Sequence, residues 1–135
     1  MRQHFVVANT FKHRMNCFCH EKKHDCFFTL KEGDVIEVTN DRKFTIGNGW
    51  YHLTFINGQF PFYMRPDELD QYNSDGQLLS LLDIELKLNY LHFHINQSLD
   101  KKEKISFLED TTERNQLIDL KEKLDTFIGR VELHQ

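Results

Sequence analysis

The chain has little with which to break or cross-link itself. Two prolines and six glycines in 135 residues leave no room for a long flexible linker, so the expectation is one compact domain or two small units sharing a core. No apolar run approaches the roughly 20 residues that a membrane span needs. The first residues contain no apolar stretch of signal-peptide length. Both absences point to a cytoplasmic protein with no membrane partner. The three cysteines are an odd number, and all fall between Cys17 and Cys26. That argues against a disulfide framework and for free or metal-bound thiols in a reducing compartment.

Catalytic signatures are missing too. There is no His-Glu-x-x-His and no phosphate-binding glycine loop. The carboxylates are scattered, as solvated helix faces require. His92 and His94 would diverge on a helix, which argues against shared metal ligation. The reading is a protein without enzymatic activity. The net charge is −4, from 17 basic and 21 acidic residues, which argues against general nucleic-acid binding. The N-terminal 25 residues are locally basic, and a contact with an anion there stays open.

What the chain does have is phenylalanine, with 12 copies; each ring buries much area, so a small β-unit could be held by few of them. The other prominent feature is a change of hydrophobic period near Gln71. Before it, short β-favourable runs alternate with turns. Strands are expected at 3–10, 26–30, 35–38, 43–46, 50–56 and 59–64. Lys31-Glu32-Gly33-Asp34 and Gly47-Asn48-Gly49 read as turns, and Asn57-Gly58 is a strong hairpin signal. Pro66 should stop the sheet and open a single helical turn.

After Gln71 the chain reads as helices. Asp70 to Gly76 is polar and short and is expected to be a turn. Leu79, Leu82, Leu86, Tyr90 and Phe93 make one helical stripe. Leu81, Ile84, Leu88, Leu91 and Ile95 make another on nearly the opposite side. A helix apolar on two faces needs cover on both. Residues 82–90 also alternate as a strand would; composition and length favour helix. Asp100 with Glu103 reads as a capping box, and Asp110 with Glu113 repeats the signal. Leu117, Leu120, Leu124, Phe127 and Val131 then form one narrow seam, suited to packing on the preceding helix or to a dimer contact.

Cys17, Cys19, His20, His24 and Cys26 offer five zinc-type donors in ten residues, and zinc takes four in a tetrahedron. Their spacing is not one of the usual zinc patterns. Alternatives are a polar surface loop with Cys17 or Cys26 partly buried, or a redox-responsive thiol pair. No cofactor other than zinc is suggested.

Two resemblances follow. The run Leu30-Lys31-Glu32-Gly33-Asp34-Val35-Ile36-Glu37-Val38, then Gly49-Trp50-Tyr51, then Asn57-Gly58 leading to Phe60-Pro61, resembles an SH3-like barrel over about 26–69. The Ala-Leu-Tyr-Asp-Tyr segment of eukaryotic SH3 domains is absent. The resemblance implies that Trp50, Tyr51, Pro61 and Tyr63 could line an aromatic groove for a peptide. Ile95 to Phe107 resembles the IDEAL domain, a short helical module of Bacillus-type bacteria. Leu99, Asp100, Glu103 and Phe107 fit its register; Asn96, Ser98 and Asp110 depart from it. That resemblance implies an interaction module.

The expectation is therefore an α+β protein. An SH3-like barrel at 1–70, with a Cys/His-rich loop at 11–26, packs against a two- to three-helix unit at 71–135. Its function is that of a protein-binding adaptor or regulator, of a bacterium or its phage. A protein partner or a second copy of the chain would be the ligand. A zinc- or thiol-dependent regulator that contacts nucleic acid is the alternative.

Overall fold

A computed structural model describes residues 3–15, 26–47 and 49–133. The fold is α+β. It divides into two compact units, the first ending at Leu79 and the second beginning at Ser80.

The first unit contains β1 (Gln3–Val7), β2 (Phe11–Met15), β3 (Cys26–Leu30), β4 (Val35–Thr45), β5 (Gly49–Ile56), β6 (Phe60–Met64), α1 (Pro66–Ser74) and β7 (Leu78–Leu79). Five strands form one antiparallel sheet in the order β6-β5-β4-β1-β7, and β2 and β3 form a separate ribbon. The β5–β6 turn is made by Asn57 and Gly58, with φ of 53° and 73°. Gln59 completes the three-residue connection and donates its N–H to the Ile56 carbonyl at 3.0 Å; Asn-Gly accepts the two positive φ values of this turn at low cost. The Asn57 side chain also accepts a hydrogen bond from Val35 N at 2.9 Å, which ties the turn to β4.

The core forms where the sheet, the ribbon and α1 meet. Val7, Ile36, Val38, Phe62, Met64 and Leu69 are buried there together with Leu30 of the ribbon. Rings seal its rim: Phe11 lies 4.7 Å from Tyr72 and Phe28 lies 5.0 Å from Phe62, centroid to centroid.

Several expectations about this unit change. Residues 11–15, placed in a loop by the sequence, are a strand paired with 26–30. The two short strands expected at 35–38 and 43–46 are one long strand with a bulge between Val38 and Arg42. Thr39 sustains the bulge by donating its hydroxyl to the Leu53 carbonyl at 2.8 Å, which replaces a ladder bond that the extra residues remove. The single turn expected after Pro66 is a full helix through Ser74. Leu78 and Leu79 pair with Val7 and Val6, so residues 71–79 belong with the sheet.

The second unit contains α2 (Leu81–Asp100) and α3 (Lys104–Leu133), which pack along each other. Residues 82–90 are helical. The helix starts at a capping box: the Ser80 hydroxyl accepts from Asp83 N at 3.2 Å, and the Asp83 carboxylate accepts from Ser80 N at 3.0 Å. Two donors that the first helical turn leaves without an intrahelical acceptor are thereby satisfied. Asp100 is the last residue of α2 rather than the cap of α3. Lys102 takes a positive φ of 58° in the link, and Phe107 N donates to the Glu103 carbonyl at 3.1 Å.

The break expected at residues 110–113 is absent, since α3 runs straight through it. Thr111 and Thr112 donate their hydroxyls to the carbonyls of Phe107 and Leu108. Those hydroxyls are satisfied inside the helix and compete with nothing at its end. Among the described residues the unit accordingly has two helices.

Candidate functional site

The four aromatic-groove residues do not share a face. Successive residues of a strand point to opposite sides. Tyr51, Leu53 and Phe55 lie on one face of β5, and β6 sets Tyr63 opposite Leu53 and Pro61 opposite Phe55. Trp50 lies on the other face, across from Phe44. Tyr51 is buried, at 1% exposure, whereas Pro61 is exposed and Tyr63 half-buried. Trp50 is thus separated from the other three by the thickness of the sheet.

The helical seam is also distributed differently. Leu117, Leu120 and Leu124 are buried, and Phe127 is half-buried; Val131 continues α3 in the same register. These leucines are interior residues. The buried residues of α2 are Ile84, Leu91, Ile95 and Ser98, and Lys121 of α3 reaches Glu85 of α2 at 3.8 Å.

Cys17, Cys19, His20 and His24 lie outside the described residues. Cys26 opens β3 as the partner of Met15. Among the described residues, no group of three or more His, Cys, Asp and Glu could hold a metal ion.

Four features did not enter the predicted site. The first is a buried polar network in the core of the first unit. His13 points inward from β2 and is 1% exposed. Its Nδ1 lies 2.7 Å from the Tyr72 hydroxyl and 3.6 Å from Glu68 Oε2. Arg65 Nε donates to Glu68 Oε1 at 2.9 Å. Phe28, Phe62 and Tyr72 surround the imidazole at 5.5–5.7 Å. Burial lowers the His13 pKa below its usual value, and the Glu68 carboxylate opposes this only in part. Burial likewise raises the Tyr72 pKa, with Glu68 adding to the effect. The network joins β2 to α1 through three residue types that burial would penalise if left unpaired. His13 itself is out of solvent, whereas Glu68, Tyr72 and Arg65 are half-buried.

The second feature is a cavity of about 220 Å³ beside the β4 bulge, bordered by Val38, Thr39, Asn40, His52, Pro66 and Asp70 among others. His52 Nδ1 lies 3.2 Å from the Thr39 carbonyl at its wall. Small-molecule sites usually occupy about 300–1,000 Å³, so this one suits at most a small polar group.

The third is the outer stripe of α2. Leu82, Leu86, Tyr90 and Phe93 are 64%, 59%, 62% and 60% exposed. The fourth is the end of the β4–β5 hairpin, where Phe44 and Trp50 meet edge to face at 5.2 Å and the Arg42 guanidinium lies 5.2 Å over the Trp50 ring. The helical period in the sequence already marks the third. The fourth was legible as a run without acidic residues: between Asp41 and Asp67 there is no Asp or Glu, in a chain with 21.

No helix among the described residues is long and apolar enough to cross a membrane. No family model, curated protein or solved structure matches this chain.

Proposed function

We propose that the protein is a non-enzymatic protein-binding module, adaptor or regulatory in kind, and that it works as a symmetric pair joined through the outer stripe of α2. The reading of the first unit as SH3-like and of residues 95–107 as IDEAL-like belongs to this proposal.

The observation that carries it is the exposure of Leu82, Leu86, Tyr90 and Phe93 along one line of the helix. A solvated helix face is ordinarily polar. A line of four large apolar side chains is the pattern by which one helix packs on another. The stripe is also suited to its own copy. Its leucines lie in the N-terminal half and its rings in the C-terminal half. A twofold axis through the middle, with the helices antiparallel, sets the leucines of each copy against the rings of the other. Asp83 and His94 flank the same side of the stripe at opposite ends, so the same axis brings the acid of one copy toward the imidazole of its partner.

Sedimentation equilibrium of the full chain over a concentration series tests this. A dimer that Leu86→Asp converts to a folded monomer supports it. A wild-type monomer throughout overturns it, and so does a dimer that Leu86→Asp leaves intact.

A further inference from the structure

The β4–β5 hairpin ends in a tip ordered by polarity along its length. Ile46, in the turn, is 98% exposed. Thr45 pairs with Gly49, and the next rung holds Phe44 opposite Trp50, which are 58% and 51% exposed. Lys43 and Arg42 occupy the two rungs behind, opposite Tyr51 and His52. The two cations point to opposite faces of the hairpin. The Arg42 guanidinium lies 5.2 Å over the Trp50 ring and Lys43 Nζ lies 5.7 Å over the Tyr63 ring. Rungs of a strand are about 3.4 Å apart. The backbone of the two cations therefore lies about 3–7 Å behind the aromatic rung, and the Arg42 guanidinium reaches forward onto the Trp50 ring.

We propose that this tip docks peripherally on an anionic lipid bilayer. Ile46, Phe44 and Trp50 enter the boundary between headgroups and acyl chains, and Arg42 and Lys43 meet the lipid phosphates. Apolar groups of interfacial elements bury about 5–10 Å into that boundary, which is the depth the turn and the aromatic rung together supply. Tryptophan favours this zone because its ring is amphipathic. The lack of any acidic residue from Arg42 to Pro66 removes local repulsion from the anionic surface. Asp41 borders the run behind Arg42, on the side of the hairpin away from the tip.

A spanning segment and a surface contact are different things. The composition that argues against the first leaves the second open. Single-stranded nucleic acid is the competing ligand, since it would use the cations and stack on the rings. It gives Ile46 no part, however, and Arg42 already covers one face of Trp50. The bilayer accounts for all five side chains.

Trp50 is the one tryptophan of the chain, so its emission reports the site directly. The test uses the full chain with phosphatidylcholine vesicles, with and without phosphatidylglycerol, and with a single-stranded oligonucleotide. The expected result is co-sedimentation with the anionic vesicles only, a blue shift of Trp50 emission, and loss of both on adding salt. Ile46→Asp removes the blue shift with an unchanged melting temperature. Lys43→Glu weakens vesicle binding by about fivefold or more, since one cation near such a surface contributes about 1 kcal/mol. Four results overturn the proposal: no binding to either vesicle, equal binding to the neutral one, undiminished binding by Ile46→Asp, or quenching by the oligonucleotide without any vesicle binding.

Discussion

Helix α2 carries two apolar stripes that differ little in chemistry. Ile84, Leu91 and Ile95 of the inner stripe are buried, whereas Leu82, Leu86, Tyr90 and Phe93 of the outer stripe are more than half exposed. The difference comes from outside the helix. The first stripe has found cover, and among the described residues the second has not. The first unit holds the same contrast in reverse. His13 is polar and buried, because Tyr72 and Glu68 satisfy it. Ile46 is apolar and almost wholly exposed. Residue type proposes a place, and the neighbours decide it.

The largest effects should come from the covered side. Leu124 is fully buried, and truncation to alanine should cost about 2–5 kcal/mol, read from the denaturant midpoint. Leu91→Ala should fall in the same range. If Leu91→Ala and Leu86→Ala cost the same in a monomeric sample, the distinction between the stripes is lost.

The next effect concerns association. Burying a leucine side chain is worth about 1.5–3 kcal/mol, and a charge at that point adds a desolvation penalty. Leu86→Asp should therefore shift the dimer constant by at least tenfold, measured by sedimentation.

Ser80→Ala comes next. It removes one half of the capping box and should destabilise the helical unit by about 1 kcal/mol, seen as reduced helicity on heating.

The pH dependence of stability sharpens the other half of the contrast. Burial lowers the His13 pKa in the folded state, so the neutral imidazole is favoured by folding. Its contribution is complete above the unfolded pKa of about 6.5 and is lost as pH falls through the lower folded value. The melting temperature should drop on acidification over that window, and His13→Gln should flatten the drop. An equal slope in the variant would assign the effect to other groups.

The smallest effect is expected at the tip. Ile46→Asp should change stability by less than about 0.5 kcal/mol, because Ile46 is 98% exposed.

Parts of the fold were legible wherever a local rule has few solutions. Asn57-Gly58 marked its hairpin because few other pairs accept two positive φ values. The helix at 81–100 was ambiguous over 82–90, where Leu82, Ile84, Leu86, Leu88 and Tyr90 alternate as a strand would. The Ser80–Asp83 box decides it, and that signal sat unread in the sequence. β2 was illegible for a different reason. Lys12 and Arg14 flank His13, and a strand whose inward residue is a histidine does not show the usual apolar alternation. The capping signals at 100–103 and 110–113 misled because Asp and Thr can also end a helix or bond within one.

The candidate sites followed the same logic. The alternation of 50–56 already sets Trp50 and Tyr51 on opposite sides of the strand, which the aromatic groove drawn from the barrel resemblance ignored. The seam of Leu117, Leu120 and Leu124 was read correctly as a helical stripe, but the stripe left uncovered is the outer one of α2. Period reveals a face; it does not say what lies on it. The donors Cys17, Cys19, His20 and His24 lie beyond the described residues, and the zinc expectation keeps only the strand position of Cys26.

The account turns on what covers Leu82, Leu86, Tyr90 and Phe93. Sedimentation equilibrium of the wild-type chain beside Leu86→Asp addresses it most directly. The expected result is a concentration-dependent dimer for the wild type and a folded monomer of unchanged helicity for the variant. A wild-type chain that stays monomeric at every concentration would contradict it.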